Sequence, residues 1–267
     1  MGAFALAHET PEAGNPCAMA GWRTVAGMVL GAVFLAVSAP SANAEWFAGD
    51  GHVHTCYSHD AYCGPGDDNT GPETFYSSGG TVDQRFREAS LKGLDFVTIS
   101  DHDDVRAQSD PAYGAYRVAG LPAYEASLAG GHAHLLGATR LFAKGDTTTA
   151  GGVNTLADAV RAGGGRFQAN HPTDSAVEEF SSCDQADAPN PDDIPLHWKY
   201  GFSVRPDAIE VWNATSLLQP AEIYWECWLQ RGQRIGATAG SDSHGATQPN
   251  LGLPVPAGKR RDRLRVP

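Results

Sequence analysis

Short apolar runs alternate along the chain with stretches whose apolar residues recur at helical spacing. The run over residues 94–100 is short, apolar and rich in β-branched side chains, which is typical of a strand buried on both faces. Residues 81–92 carry Val82, Phe86 and Ala89 on one face of a predicted helix. Further apolar runs predict strands over residues 46–54, 121–127, 132–142, 166–170, 208–213 and 234–239.

Two more helices are predicted over residues 155–162 and 220–231. The second begins with Pro220, which suits a first helical position, and Gly232 follows its last residue. The chain therefore alternates strands with helices or long loops, which predicts an α/β fold, either a barrel or an open parallel sheet. In both architectures, functional side chains gather at the carboxyl ends of the strands.

Composition restricts the classes of function. The 267 residues are 42% hydrophobic and 19% charged, which excludes a disordered or fibrous chain and suffices for one domain of barrel size. Lys and Arg number 19 against 31 Asp and Glu, so the net charge is -12 and no nucleic acid partner is expected. The 10 histidines indicate divalent metal ions, which bind imidazoles and carboxylates.

Residues 1–44 have the features of an N-terminal extension followed by a secretory signal peptide. Arg23 precedes an apolar run over residues 24–37, and the small residues Ala42 and Ala44 fit a cleavage site. The apolar run is shorter than the roughly 20 residues that span a bilayer, so no stable membrane anchor is expected. We therefore expect a periplasmic or secreted protein whose domain covers residues 45–257.

Four cysteines follow the predicted cleavage site, and they allow three disulfide pairings. In an oxidising compartment, the favoured bridge joins Cys56 to Cys63 and closes a short loop beside the first histidines. The other two are Cys183 and Cys227. The alternative is that Cys56 binds metal, although the cysteines lack the two-residue spacing of a zinc ribbon.

Histidines and acidic residues cluster where the predicted strands end. His52 and His54 stand two residues apart on a strand, so both imidazoles point to the same side and can reach one ion. The later clusters contain Asp101 and His102, Glu125, His132 and His134, His171, and Asp242 and His244. Only His8 and His197 among the histidines lie outside these clusters and their adjoining loops. The pattern predicts a metal centre rather than isolated structural histidines.

The motifs also occur in a known order. Across residues 47–245 they are His52-x-His54-Thr55-x-x-Ser58, Ser100-Asp101-His102, Glu125, the histidines before Leu135-Leu136-Gly137, Asn170-His171-Pro172 and Gly240-Ser241-Asp242-Ser243-His244. This series resembles the polymerase and histidinol phosphatase (PHP) family of metal-dependent phosphoesterases. Residues 209–213 and 240–245 are similar to the branch of that family that contains carbaryl-type carbamate hydrolases.

The resemblance implies a distorted (β/α)7 barrel that holds two or three divalent ions, commonly zinc, manganese or iron. Members of the branch usually continue well past the segment that contains Leu253, whereas this chain stops soon after it. The resemblance therefore also suggests a C-terminal truncation. Residues 258–267 form a basic tail with five Lys and Arg side chains. Two interpretations of this tail stay open, a disordered basic end and the result of a truncation or a shifted reading frame.

Three sets of ligands follow from the resemblance. The first ion is expected to bind His52, His54, Glu125 and Asp242, with Glu125 bridging to the second. The second ion is expected to bind His171 and one histidine of the pair His132 and His134. The third is expected to bind His102, His244 and either Asp60 or His59.

Such a constellation suits hydrolysis, because two cations that share a carboxylate can lower the pKa of a bridging water and stabilise the developing negative charge. The leading hypothesis is an exported metal-dependent phosphoesterase that acts on small phosphate esters. His59, if it binds no ion, is a candidate general acid, and Asp101 a candidate for orienting a ligand histidine. The oligomeric state is left open.

Two alternatives remain at this point. A carbamate or amide hydrolase would use the same ions in a more apolar pocket, for which the candidate side chains are Trp198, Tyr200, Trp212 and Trp225. The leading hypothesis, a phosphoesterase, instead requires positive charge near the ions, for which the candidates are Arg106, Arg140 and Lys199. The second alternative is a metal-binding domain without catalysis.

Overall fold

Nine strands and three α-helices follow one another over the residues that the computed structural model describes, which are 45–61, 63, 80–173, 180–187, 197–213, 218–244 and 262–266. The helices are α1 (Val82–Leu91), α2 (Ala150–Ala162) and α3 (Leu218–Gln230). The strands are β1 (Glu45–Val53), β2 (Phe96–Ile99), β3 (Ala119–Pro122), β4 (Glu125–Leu128), β5 (Gly131–Leu136), β6 (Arg166–Ala169), β7 (Ala208–Asn213), β8 (Gly236–Gly240) and β9 (Asp262–Val266).

The helices begin where side chains cap them. Thr81 accepts a hydrogen bond from the backbone N of Gln84, and the Gln84 side chain accepts one from the backbone N of Thr81, which is a capping box at the start of α1. Helix α2 begins earlier than predicted, because Thr149 caps it by accepting from the backbone N of Gly152. The glycines of its first turn weaken the helical pattern in the sequence.

The strands form two sheets. In the first, with the order β3-β2-β1-β9, strands β1, β2 and β3 are parallel and β9 is antiparallel to β1. In the second, with the order β4-β5-β6-β7-β8, β5 is antiparallel to both neighbours and β6, β7 and β8 are parallel. The fold is therefore mixed α/β, as predicted.

Single bridges join the two sheets at the carboxyl ends of β1, β2 and β8 and at the first residue of β4. His54 N donates to Ser243 O at 2.9 Å, which links β1 to the end of β8. Asp103 N donates to Glu125 O at 2.8 Å, which links the end of β2 to β4. Over the described residues these contacts do not complete a barrel of seven parallel units. The predicted strand over residues 121–127 is divided into β3 and β4, and β4 turns back at Gly130 and Gly131 into an antiparallel hairpin.

Buried Arg85 stabilises the junction of β1 and β8. Its Nε donates to His54 O at 2.8 Å and its Nη1 to Ser243 Oγ at 3.2 Å. The apolar face of α1 covers β1 and β2, whereas α2 and α3 pack on the sheet that contains β5, β6 and β7. The polar ends of the strands are therefore held between two apolar cores.

Two disulfides lie within the described residues. Cys56 pairs with Cys63, which confirms the favoured bridge and shows that the alternative metal role of Cys56 is wrong. Cys183 pairs with Cys227 and ties a short 3-10 helix, Cys183–Asp187, to α3.

The two ends of the chain are described only in part. Residues 1–44, including the predicted signal peptide, lie outside the described residues. Within the basic tail, Asp262–Val266 forms β9, whose backbone pairs with Glu45 to Gly49 of β1. Among the helices that the structure describes, none is long and apolar enough to cross a membrane.

Candidate metal centre

Most of the predicted ligands lie at the junction of the two sheets. Alternation along β1 sends His52 and His54 to the same side, and both are fully buried. Glu125 is the first residue of β4 and is also fully buried. The other strands contribute His102, His132, His171, Asp242 and His244 at or just beyond their ends.

The first ligand set has the dimensions of a tetrahedral metal site. His52 Nε2 lies 2.9 Å from His54 Nε2, 3.2 Å from Glu125 Oε2 and 3.3 Å from Asp242 Oδ1. His54 Nε2 lies 3.2 Å from each of the same two oxygens. Ligand atoms about 2.0–2.1 Å from a tetrahedral zinc ion are separated by about 3.3 Å. The four side chains predicted for the first ion therefore converge as one donor set that fits a divalent metal.

Hydrogen bonds on the far side of each ring turn these nitrogens toward the common point. His52 Nδ1 lies 2.9 Å from Glu210 Oε1, and His54 Nδ1 lies 3.0 Å from Ser58 Oγ. A carboxylate on Nδ1 holds the proton there and leaves Nε2 as the metal-binding atom. Glu210 is itself held by the Asn213 side chain and by the backbone N of His171, at 3.0 and 3.1 Å.

Glu125 connects the first set to the second. Its Oε1 lies 3.1 Å from His171 Nε2 and 3.4 Å from His132 Nδ1, while its Oε2 faces the first set. Asn170 Nδ2 donates to the same Oε1 at 2.8 Å and fixes the carboxylate plane. Each oxygen of Glu125 thus faces a different group of imidazoles, which is the arrangement of a bridging carboxylate.

The structure distinguishes the two histidines of β5. His132 is grouped with other potential ligands, whereas His134 belongs to none of the ligand groups formed by the described residues. The Nδ1 of His134 lies 3.2 Å from Gln168 Nε2, and its ring packs edge-on against His52 with centroids 4.1 Å apart. His134 therefore packs against His52 of the first set.

The third set combines Asp60, from the loop after β1, with histidines that follow β2 and β8. Asp60 Oδ2 is 2.8 Å from His244 Nε2 and 3.6 Å from His102 Nε2, and these three residues form a ligand group with His54. His59 stacks on His102 with centroids 4.8 Å apart but is in no ligand group of the described residues. Of the two residues that the sequence leaves open for this set, Asp60 and His59, Asp60 is the one that lies among the other ligands.

Burial and neighbouring charges shift the acid–base properties of these groups strongly. Burial alone would lower the pKa of His54, but its hydrogen bonds to Asp242 and Glu125 outweigh burial and raise that pKa to about 9. Burial alone would raise the pKa of Glu125, but the adjacent histidines, His52 above all, hold it well below its usual range. The carboxylate is therefore ionised and suited to bind cations.

Two of the ligands have strained backbones. His171 has φ of 24° and Asp242 has φ of 51°, in the left-handed region that residues with a Cβ seldom adopt. The backbone N of Asp242 donates to His52 O at 2.8 Å, and Glu210 holds the backbone N of His171. Strain of about 1–3 kcal/mol per residue persists only where the surrounding structure enforces it, which is common at functional sites.

Asp101 has a different position from the one expected of a group that orients a histidine. Its two oxygens accept hydrogen bonds from the backbone N and the Oγ1 of Thr55, at 2.5 and 2.7 Å. Asp101 thus anchors the start of the loop that carries Asp60. Burial raises the pKa of Asp101 to about 6.

The variant Asp101→Asn is expected to change how stability depends on pH in the metal-free protein. The pKa of Asp101 is raised from 3.8 to about 6, so the folded state binds more protons than the unfolded state in this window. The free energy of unfolding of the wild type, taken relative to that of the variant, therefore falls by up to about 3 kcal/mol as pH rises from about 4 to about 6. Urea unfolding at several pH values measures it. A difference that is constant with pH would contradict the assignment.

Three functional candidates were missed from the sequence. Glu210 and Asn213 lie on β7, where a buried carboxylate in an apolar strand is a signal that a charge partner exists. His197 lies in an irregular segment with no strand-end pattern, yet it forms a ligand group with His132 and His171. Burial, followed by the charges of those two histidines, lowers the pKa of His197 to about 3.

The cations proposed for substrate recognition have mixed positions. Arg106 pairs with Asp104 at 2.7 Å and lies over the Tyr57 ring. Arg140 lies over the Phe142 ring. Lys199 N donates to Gly130 O at 2.7 Å, which places the Lys199 backbone beside the hairpin that precedes His132.

The aromatic side chains considered for an apolar pocket are mostly core residues. Trp198 and Tyr200 are buried in the larger core, and Trp225 packs against it and donates to Ile235 O at 2.9 Å. Trp212 is 38% exposed and donates to Glu222. Trp198, Tyr200 and Trp225 therefore have packing roles, and Trp212 lies at the surface.

Sequence comparison gives a partial match. The model of the family DUF3604, described as a protein of unknown function, matches residues 41–117, which is less than a third of the chain. The matched segment contains β1, the loop with Asp60 and the end of β2 with His102. The comparison with curated proteins found no match.

Solved structures show a similar fold at low sequence identity. An amidohydrolase from Chromobacterium violaceum with bound SO4 and no metal is 13% identical, with a TM-score of 0.50 over 80% of this chain and 90% of that one. A two-domain protein from Bacteroides vulgatus, which contains a predicted PHP-like metal-dependent phosphoesterase, is 14% identical, with a TM-score of 0.47 over 76% and 53%. A Bifidobacterium adolescentis structure assigned as a metal-dependent phosphoesterase is 15% identical, with a TM-score of 0.49 over 79% and 90%. The chain shares the fold of the amidohydrolase.

Proposed function

We propose that the protein is an exported metal-dependent hydrolase of the PHP kind, and that it acts on small phosphate esters. The observation that carries the proposal is the first ligand set, in which five separations of 2.9–3.3 Å join two imidazole nitrogens and two carboxylate oxygens. Burying an ionisable group is costly unless an opposite charge compensates it. Apolar packing alone therefore does not explain why two imidazoles and two carboxylates are buried at such short separations.

The residues divide into three ligand sets around the bridging carboxylate of Glu125. His52, His54 and Asp242 complete the first set, His132 and His171 the second, and Asp60, His102 and His244 the third. Divalent ions such as zinc, manganese or iron, when bound there, lower the pKa of a water molecule and stabilise negative charge on the reacting ester. Imidazole-rich sets of this kind favour zinc or iron over magnesium and calcium.

Other side chains orient the ligands and move protons. Glu210 holds the His52 ring with Nε2 toward the centre, and Ser58 does so for His54. His59 stacks on His102 at the edge of the third set and is only partly buried. We assign to His59 the role of general acid that protonates the departing alcohol.

Two observations support a phosphate ester as the substrate. The amidohydrolase with the same fold holds a sulfate, and a phosphoryl group is likewise a tetrahedral anion. Lys199 lies in the segment whose backbone binds Gly130 O at 2.7 Å, two residues before His132, and we propose that its side chain supplies positive charge for a phosphate oxygen. The ions themselves outweigh the negative charge of the chain in the local field.

The second candidate is a carbamate or amide hydrolase. The segments over residues 209–213 and 240–245 are similar to carbaryl-type hydrolases, and the neighbour of the same fold is described as an amidohydrolase. A carbonyl carbon can replace phosphorus as the electrophile at the same ions. The positions of Arg106 and Arg140, each engaged with a neighbouring side chain, are compatible with a neutral substrate.

Export is part of the same proposal. The two disulfides are of the kind that persists in oxidising compartments, and the signal-like pattern of residues 19–44 precedes the first described strand. We propose a periplasmic or secreted location. Recovery of a chain that begins near Glu45 from the periplasm or medium of the source cells would support export, and recovery of the uncleaved chain from the cytoplasm would contradict it.

Chelation followed by reloading tests the function. The protein is stripped of metal, reloaded with zinc, manganese or iron, and assayed on p-nitrophenyl phosphate, bis-p-nitrophenyl phosphate and 1-naphthyl N-methylcarbamate. We expect phosphate ester hydrolysis that falls about a thousandfold on chelation, because the ions supply several kcal/mol of transition-state stabilisation. Turnover of the carbamate alone would favour the second candidate. Bound metal without turnover of any ester would leave a metal-binding domain.

A further inference from the structure

A third histidine lies beside the second ligand set. The ring centroid of His197 is 5.0 Å from that of His132 and 5.2 Å from that of His171. Each of the three rings offers a nitrogen, and these nitrogens lie within 4.8 Å of one another. His197 comes from the segment before β7, far in sequence from the other two residues.

Backbone contacts fix the position of His197. Lys199 N donates to Gly130 O at 2.7 Å, and Trp198 N donates to Pro172 O at 3.2 Å. Gly130 N donates in turn to Tyr200 Oη at 2.9 Å. The segment 197–200 is therefore bound both to the hairpin before His132 and to the residue after His171.

The two glycines of the hairpin permit this close approach. A Cβ on Gly131 would lie 3.1 Å from His197 O and 3.1 Å from Trp198 Cε3. A Cβ on Gly130 would lie 3.0 Å from Lys199 Cβ and 3.0 Å from Tyr200 Cζ. Gly131 also has φ of +131°, a conformation that favours glycine. The turn that begins the strand of His132 is thus shaped to receive the segment of His197.

We propose that His197 is an additional ligand of the ion held by His132 and His171, so that three imidazoles and Glu125 Oε1 surround it. This deepens the proposed function and rests on it for the presence of the metal. Nitrogen atoms bound at about 2.1 Å to one tetrahedral ion lie about 3.4 Å apart, so these three nitrogens, which lie within 4.8 Å of one another, need to approach by up to about 1.4 Å when the ion binds. Three nitrogens and one oxygen form a four-coordinate set typical of zinc, and this position selects zinc over manganese.

The variants His197→Gln and His197→Ala test the ligand role by metal content. Zinc-loaded wild type and variants are dialysed against a graded chelator, and the zinc retained per chain is measured by elemental analysis. We expect one equivalent to be held at least about tenfold more weakly in both variants, with the other equivalents unchanged. Asn154→Ala is the matched control, because its side chain donates to Ser203 O of the same loop and contacts no ligand.

Thermal unfolding separates a ligand role from a packing role. A ligand adds stability only when zinc is bound, so the metal-free variants should unfold at the wild-type temperature and gain less from zinc. Gly131→Ala, which displaces the segment, should lower the unfolding temperature in both states.

Two results would overturn the proposal. One is wild-type zinc retention in His197→Gln, and the other is an equal loss of stability with and without zinc. Metal retention is measured without any substrate. A variant that loses one equivalent in a protein that hydrolyses no ester would therefore support the His197 site while contradicting the proposed hydrolase.

Discussion

Replacing Glu125 by glutamine is expected to remove at least two ions and to lower kcat/KM by about a thousandfold or more. The Oε2 atom lies 3.2 Å from the Nε2 atoms of His52 and His54 and 3.3 Å from that of His102. The Oε1 atom faces His132 and His171. A neutral amide removes the charge that five imidazoles share and is a poor bridging ligand, so the sets lose their common anion.

Glu226→Gln is the matched control for this prediction. Glu226 lies on the exposed face of α3, so the same chemical change occurs away from the ligand sets. Elemental analysis gives the metal per chain, and initial rates on p-nitrophenyl phosphate give kcat/KM. Because glutamine keeps an oxygen that can accept from Asn170, the variant should fold. Unchanged metal content in Glu125→Gln would show that Glu125 does not bridge the ions.

The sequence was informative about the centre where chemistry and strand periodicity coincide. Two histidines at positions i and i+2 of a strand point the same way whatever the rest of the fold does, and His52 and His54 meet at 2.9 Å as this requires. The predicted strand over residues 94–100 contains the buried strand β2, Phe96–Ile99, and Asp101 and His102 follow directly after it. Local rules of this kind need no tertiary structure.

Other features depend on contacts between distant segments. The pair His132 and His134 obeys the same alternation, but their contacts with distant segments differ. His134 contacts Gln168 and His52, whereas His132 Nδ1 lies 3.4 Å from Glu125 Oε1. His197 lies beside the centre because its segment contacts the hairpin at Gly130. No repeating pattern in the sequence connects these two segments. Spacing along the chain carries no information about either contact.

The sheet arrangement was only partly predictable for a similar reason. Apolar runs locate strands, but they do not tell whether a strand continues or reverses. Residues 121–127 read as one strand, whereas Ala123 and Tyr124 leave the first sheet and Glu125 begins β4 in the second. This break places Glu125 between the two sheets, so the departure from a regular barrel also creates the bridging position.

The two disulfides are predicted to affect stability and metal binding differently. Loss of the Cys183–Cys227 bridge should lower the free energy of unfolding more, and loss of the Cys56–Cys63 bridge should weaken metal binding more. Cys56 and Cys63 are separated by 7 residues and enclose Asp60 of the third set, whereas Cys183 and Cys227 are separated by 44 residues and join a 3-10 helix to α3. From loop length, loss of the first bridge costs about 2.4 kcal/mol and loss of the second about 4 kcal/mol. The longer loop therefore matters more for the free energy of unfolding.

Metal binding should follow position instead of loop length. The double variant Cys56→Ser with Cys63→Ser frees the loop whose Asp60 lies 2.8 Å from His244, so we expect one ion to bind about 10–100-fold more weakly. The variant Cys183→Ser with Cys227→Ser should unfold at lower urea concentration and keep every ion. Elemental analysis after graded chelation, together with urea unfolding of both variants, measures the two effects. If metal retention followed the loss of stability in both variants, the loop closed by Cys56 and Cys63 would serve the fold alone and Asp60 would need no such restraint to reach its ion.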